Sequence, residues 1–369
     1  MLHSVWRLGG DLTDPWVELQ SANAERFDSR LLGMKAHRGH PRSPSLLLAR
    51  DRPGLWLAYR VSQRSRGLTT AWLARAFRRH PPTVLHAHYG HRASCQIPLA
   101  RELRAPLVAS FYGDDATHVR FTRSRRWLSA YARLFAFASA VVVEGPAMAA
   151  RLEALGCPAE KLRVVRLPAD AASLEGIKVR SADGFLASLA GRFTEKKGFD
   201  FGIRAFARAL RGRSDARLLI VGGGEQEEEL RRIAAEERLD GQVTWAGRLP
   251  FERFMSAIGR AHIGMYPSRT ARHGDSEGGA PVTLAEAQWL GVPSIVSAHD
   301  DLPFLAAPGG SVVLPPDDLD AWAEVLLGLY RDRGRLAAMR PAAKAFARAH
   351  HSPVANVRAR ESIYDCVSR

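Results

Sequence analysis

The sequence predicts an α/β protein built from two doubly wound, Rossmann-like parallel-sheet domains facing across a cleft. Three observations carry that prediction. A length of 369 residues suits about two domains. Short apolar runs alternate with longer amphipathic segments along the whole chain, the strand-and-helix rhythm of parallel sheets. Glycines follow several of the apolar runs in both halves, at Gly9-Gly10, Gly113, Gly191 and Gly222-Gly223-Gly224. In such folds the carboxyl ends of the strands are where ligands collect.

Composition narrows the class. A hydrophobic content of 46% with 25% charged residues describes a globular chain rather than a disordered one. No run of about 20 apolar residues is present, so no membrane span is expected. Residues 1–10 lack the apolar centre of a signal peptide. Cys95, Cys157 and Cys366 lie far apart, with no CxxC spacing, and read as free thiols in a reducing cytoplasm. The net charge of +15 is uneven: residues 1–170 carry +13 and the remainder +2. Such a field attracts nucleic acid, anionic membrane or anionic substrates. A basic nucleic-acid-binding protein is the alternative from another class. It is disfavoured because no nucleic-acid motif and no compact basic stripe with stacking aromatics appear.

The N-terminal elements follow in order. Residues 1–8 read as a strand ending at Gly9-Gly10, a turn where backbone can approach a phosphate or substrate. A first helix is expected over 13–30 and a second strand from Arg30 to Gly33, whereas 36–70 resists assignment. Residues 70–80 form a basic amphipathic helix. The strand from Pro82 runs into His86, His88 and His91. With no carboxylate or cysteine to complete a ligand set, these histidines read as crevice lining rather than metal ligands. The next strand leads into Tyr112-Gly113-Asp114-Asp115. Residues 120–138 open with Arg120, Arg123, Arg125 and Arg126 and continue through Trp127 and Tyr131, a helix suited either to packing on a sheet or to lying on an anionic bilayer. Strands at 140–143 and 162–167 close an N-terminal domain of residues 1–170. Residues 171–184 read as a linker, 185–352 as the second domain, and 353–369 as a helix returning to the first.

In the second half, the strand at 185–190 enters Gly191-Arg192, then Lys196-Lys197-Gly198 and a helix from Asp200. A planar guanidinium and a mobile ammonium in a glycine-bounded loop suit a diphosphate. Gly222-Gly223-Gly224 is also a strand-to-helix turn, but the glutamate-rich helix after it would repel a phosphate, so it reads as fold. Gly247-Arg248-Leu249-Pro250 ends a further strand. The densest stretch is Glu277-Gly278-Gly279-Ala280-Pro281, followed by a helix from Val282, then Gly291 and Pro293. Glycines free the loop, Pro281 suits the helix start, and Gly291 with Pro293 ends it. The helix N-terminus is a phosphate seat. Glu277 and Glu286 bracket it and suit hydroxyls of a sugar or ribose rather than phosphate. Phosphate together with hydroxyls describes a nucleotide-sugar.

These residues resemble the motifs of the retaining, nucleotide-sugar-dependent glycosyltransferases of family four, which have the two-domain GT-B architecture and include the bacterial surface polysaccharide type. The paired glutamates match with eight residues between them where seven is usual. Gly191-Arg192 with Lys197-Gly198 matches the family's diphosphate clamp, and Gly247-Arg248 the segment facing the nucleotide base. Tyr112-Gly113 with Asp115 matches its N-terminal loop, with Tyr112 in place of the common histidine. His299-Asp300-Asp301 stands where small residues are usual. The resemblance implies that Arg192, Lys197 and Glu277 serve the reaction. Glu286, Gly278, Gly279, Ala280, Pro281, Arg248 and Gly247 would bind the donor. Gly9, Gly10, His88, Tyr112, Gly113 and Asp115 would line the acceptor side. It further implies a nucleotide-diphosphate sugar as donor substrate, no cofactor and no metal. The acceptor would be a glycan or polyprenyl-linked glycan at the anionic inner face of the membrane, with no nucleic acid partner. A GT-B sugar phosphorylase is the alternative within enzymes.

Overall fold

The computed structural model describes residues 1–8, 15–36, 46–48, 66–179, 182–279 and 281–369. Gly9, Gly10 and Ala280 lie outside the described residues. The chain divides into two compact units, Met1–Arg166 with Pro353–Arg369, and Leu167–Ser352. Residues 171–184 are not a bare connection. They contain the helix Ala171–Glu175, opened by Asp170 accepting from Ser173 N at 3.2 Å, with Leu174 buried, and they belong to the second unit.

The first unit is a parallel sheet of β1 (Leu2–Leu8), β2 (Arg30–Ala36), β3 (Leu46–Leu48), β4 (Leu85–His88), β5 (Leu107–Ser110), β6 (Ala140–Val143) and β7 (Leu162–Val164), in the order β3-β2-β1-β4-β5-β6-β7. The order reverses between β1 and β4. Strands β4, β5 and β6 are buried along their whole length, as expected of a sheet covered on both faces. The first helix is shorter than the span expected, Pro15–Ala22, and the basic helix before β4 starts earlier, at Arg66–Phe77. The helix expected over 120–138 is two helices, Val119–Thr122 and Arg125–Phe137. The break turns Phe121 inward, where it stacks on His91 at 4.6 Å and meets the Trp127 ring edge-on at 5.3 Å. The helix Pro353–Ser368 completes this unit. Its buried Glu361 accepts from the backbone N–H groups of Glu25 and Arg26, at 2.9 and 2.8 Å.

The second unit holds β8 (Phe185–Arg192), β9 (Ala216–Gly223), β10 (Val243–Gly247), β11 (Ile263–Tyr266), β12 (Ser294–Ser297) and β13 (Ser311–Leu314), all parallel, in the order β10-β9-β8-β11-β12-β13. Its reversal lies between β8 and β11. Loops leaving those two strands part there, which opens a crevice at their carboxyl ends. Phe185, Leu189, Phe206, Leu218 and Trp322 form the centre of its core.

The ends of β8 and β9 approach too closely for side chains. Gly191 pairs with Gly222, and a Cβ on Gly222 would fall 1.8 Å from Gly191 O, at a φ of 140°. Only glycine fits there, and the pairing places Arg192 at the carboxyl end of β8, opposite Gly223. Gly222→Ala is therefore expected to destabilise the second unit by about 2 kcal/mol or more. Urea unfolding of the variant against the wild type checks this, and an unchanged midpoint contradicts it.

Candidate active site

The crevice of the second unit is walled by the turn after β8 and the long loop after β11. The turn Glu195–Lys197 ends at Gly198, whose φ of 64° and approach to Pro267 O exclude any Cβ. The two lysines of the turn part company. Lys196 is buried, pairs with Asp275 at 3.0 Å and donates to Ser276 O at 3.0 Å. Lys197 runs past Gly191 and pairs with Glu277 Oε1. Arg269 adds a two-pronged contact to Asp200, at 2.9 and 2.8 Å, and its backbone N–H donates to Lys196 O at 2.9 Å. The loop bearing Glu277 is thus fastened to the turn bearing Lys197 across the point where the sheet reverses.

Arg192 is exposed and pairs with no other described residue. Arg248 lies over Gly223, where a Cβ would meet its Nε at 2.9 Å, and Gly247 before it has a φ of 66°. The helix Val282–Trp289 has Pro281 at its N-cap and no side-chain cap among the described residues, so its first N–H groups are unclaimed by a capping side chain.

The two glutamates sit in different electrostatic settings. Glu277 is paired with Lys197, while its second oxygen, Oε2, is buried without a hydrogen bond. Glu286 is buried in the helix. Burial pushes its carboxyl up to about 8, and repulsion from Asp170 adds to the effect. Tyr266 donates to Thr283 O at 3.2 Å and is itself pushed up by burial and by Glu286. Asp300, after β12, accepts from Gly278 N at 2.8 Å.

In the first unit the predicted residues separate into buried and accessible ones. His88 and Asp115 are fully buried and do not line an open surface. The Asp115 carboxylate receives Gly90 N at 2.6 Å and Tyr112 N at 2.9 Å, tying the ends of β4 and β5 together. Burial pushes it up to about 7 against those hydrogen bonds. Gly113, with a φ of 93°, is buried as well, and Tyr112 is half-buried. Tyr112 Oη lies 2.5 Å from His88 Nδ1, and His88 Nε2 lies 2.9 Å from His3 Nδ1. His86 joins Tyr364 Oη at 2.7 Å to Ser110 Oγ at 2.8 Å. Burial drives all three histidines to the neutral form, with His3 down to about 3.

Among the described residues, His3, His86 and His88 are the group whose nitrogens, within 4.8 Å of one another, are close enough to share an ion. The buried Arg360 guanidinium, donating to Ser110 Oγ at 3.3 Å, sets the local field against a cation. Sequence reasoning missed His3, because the pairing of β1 with β4 that brings it to His86 spans some 80 residues of chain. It also missed Tyr89, a non-glycine residue at φ 70° just before the helix Gly90–Leu103. A strained residue at the end of a strand beside the sheet's reversal is a common mark of a functional loop. No local signal announced it.

Comparison with known proteins identifies the family and the fold. The model for glycosyltransferase family 4 matches residues 27–173, and that for glycosyl transferases group 1 matches residues 185–332. The chain belongs to the family four glycosyltransferases. This glycosyltransferase is 29% identical over 288 residues to the amylovoran biosynthesis glycosyltransferase AmsK of Erwinia amylovora, covering 75% of this chain and 70% of AmsK. It is 34% identical over 161 residues to the GDP-mannose-dependent monoacylated alpha-(1-6)-phosphatidylinositol monomannoside mannosyltransferase of Corynebacterium glutamicum, covering 44% of this chain and 42% of that protein. In fold it is similar to HepE of Anabaena, whose crystal structure contains UDP. The TM-score is 0.76 at 15% identity, over 99% of this chain and all of that one.

The raised Glu286 carboxyl carries a sign for stability. Its ordinary value is 4.5, so between about 4.5 and about 8 the folded protein holds a proton that the unfolded chain has lost. Stability from this group therefore falls as pH rises through that window. Glu286→Gln is expected to raise the melting temperature most at pH 8.5 and least at pH 4.5. A difference that grows toward acid pH overturns the assignment.

Proposed function

We propose that this protein moves a hexosyl unit from a nucleoside diphosphate sugar to a glycan or polyprenyl-linked acceptor, with retention of anomeric configuration and without a metal ion, in cell-surface polysaccharide synthesis. The observation that supports this most is the Lys197–Glu277 pair set beside exposed Arg192 at the reversal of the second sheet. In this reading Arg192 and Lys197 receive the charge that grows on the departing diphosphate, as preorganised cations do for other leaving groups. The uncapped helix start at Pro281, with the Gly278-Gly279 loop before it, receives phosphate oxygens. Gly247 and Arg248 lie beside the base. Glu286 accepts from the ribose, and the unpartnered Glu277 oxygen accepts from the donor sugar. Among the described residues of the acceptor group, Tyr112 is the accessible member, with His88 Nδ1 against its hydroxyl. No general base is assigned, since the leaving phosphate can take the acceptor's proton.

Arg192→Ala or Lys197→Ala is expected to cost about 2–4 kcal/mol of transition-state stabilisation, read as loss of kcat/KM. Near wild-type turnover in both variants sinks the clamp. Glu286→Ala should weaken nucleoside diphosphate binding, whereas Glu277→Ala should spare it and depress turnover. Equal loss of binding in both overturns the division of roles. EDTA should leave turnover intact, and loss restored by magnesium refutes the metal-free reading.

The basic first unit supports peripheral binding at the inner face of the cell membrane, in the cytoplasm. No helix among the described residues is long and apolar enough to cross a membrane. One part of the sequence-based expectation needs correction. Tyr131 is fully buried, donating to Asp115 O at 2.7 Å, so its ring does not reach a bilayer, while Trp127 is half-buried against the core. Arg123, Arg125 and Arg126 are exposed. Attraction is then electrostatic, at about 1 kcal/mol per cation. Co-sedimentation with anionic vesicles should fall with salt and fall further when these three arginines are changed to Glu. No binding at low salt contradicts it.

A further inference from the structure

Two irregularities of this chain meet at one hydrogen bond. Glu277 and Glu286 are separated by eight residues, and Gly278 in that loop has a φ of 71°. After β12, Asp300 also has a left-handed backbone, with a φ of 45°, which is uncommon outside glycine. Asp300 Oδ2 accepts from Gly278 N at 2.8 Å, and the nearby Ser276 hydroxyl also favours the ionised form of this carboxylate. His299 Nε2 lies 3.1 Å from the same oxygen, and the Asp300 side chain is only 6% exposed. Burial alone would favour the neutral acid. The contacts from His299, Ser276 and Gly278 overcome it and hold the group ionised, well below the usual carboxylate range.

The position of that bond matters. Gly278 N belongs to the peptide that directly follows Glu277, so gripping it limits rotation about the Glu277 Cα–C bond. That rotation decides where the Glu277 side chain leaves the backbone. From the other side, Lys196 holds Asp275 and Ser276 O, and Lys197 meets Glu277 Oε1. The loop is thus clamped on one flank by cations and on the other by an anion. The anion takes a backbone N–H that the helix cannot use.

We propose that Asp300 is a positioning residue, whose carboxylate grips the Gly278 N–H and so aims the Glu277 carboxylate at Lys197 and at the donor sugar, fitting the longer loop to the reaction. This rests on the reading of Glu277 as a donor contact. Asp300 acts through the loop and needs no contact with substrate.

The test uses the full-length chain and three forms: wild type, Asp300→Gly and Asp300→Asn. Glycine keeps the left-handed backbone and removes the acceptor. Asparagine tolerates the same backbone and restores an acceptor oxygen. Release of nucleoside diphosphate from UDP-glucose and from GDP-mannose is measured with saturating donor. Asp300→Gly should lower kcat by about 10- to 100-fold, the scale of a misplaced reacting group. Its affinity for UDP or GDP should stay within about twofold, about 0.4 kcal/mol. Asp300→Asn should recover most of the loss. Wild-type kcat in Asp300→Gly overturns the proposal. So does a loss of nucleotide affinity matching the loss of kcat, or an Asn variant as slow as the Gly variant. Amide hydrogen exchange over residues 275–279 decides the grip without any donor. It should be slow in the wild type and the Asn variant and fast in the Gly variant, and equal exchange in all three overturns the proposal. A wild type inactive on both donors, with the expected exchange pattern, counts against the proposed activity and leaves the grip standing.

Discussion

The turn after β8 comes within backbone contact of the end of β11. Gly198 sits so close to Pro267 O that a Cβ would lie 2.0 Å from it, and Lys196 O takes the Arg269 N–H just beyond. Without that approach, Lys197 and Glu277, 80 residues apart in sequence, would have no reason to meet. A parallel sheet makes the approach possible by reversing its strand order here, so that two loops leave neighbouring strands in opposite directions. The remaining contacts of the site, Lys196 to Asp275 and Arg269 to Asp200, brace this junction.

The same protein keeps two carboxylates in opposite condition within one short segment. Glu277 has a lysine against it. Glu286 has burial and the nearby Asp170 acting on it, which favours its neutral form in the free protein. A carboxyl of that kind costs stability when it ionises, and it persists where function uses the group. The buried histidines of the first unit show the same economy in another form. His3, His86 and His88 stay neutral because burial and Arg360 act together, and each still finds hydrogen-bond partners in Tyr112, Tyr364, Ser110 or a neighbouring ring.

Much of this was legible in the sequence, because glycine, proline and apolar runs act locally. The strand beginning at Phe185, the strand that feeds Gly222 and the helix from Val282 could be placed from their neighbours in the chain, the first running two residues further than the expected 185–190. What escaped depends on contacts between distant segments. Nothing near Asp115 shows that its carboxylate will be enclosed by Gly90 and Tyr112. The arginine-rich start of 120–138 does not show that Phe121 turns inward and splits the helix, or that Tyr131 ends in the core. Lys196 and Lys197 are chemically identical neighbours. Only the position of Asp275 makes one a strut and leaves the other at the crevice.

The helix Pro353–Ser368 has a bearing on how the chain acquires its structure. The strands and helices of the first unit leave the ribosome first, yet Tyr364 supplies a partner to His86, Glu361 satisfies the N–H groups of Glu25 and Arg26, and Asn356 donates to Arg166 O. These partners are synthesised after the whole second unit. During translation the first unit must wait with a polar interior incompletely paired, while the second can close on its own local contacts. Such long-range closure slows folding and prolongs exposure of unfinished surface. The emerging chain is therefore expected to gain its second unit in final form before its first, the reverse of their order along the sequence.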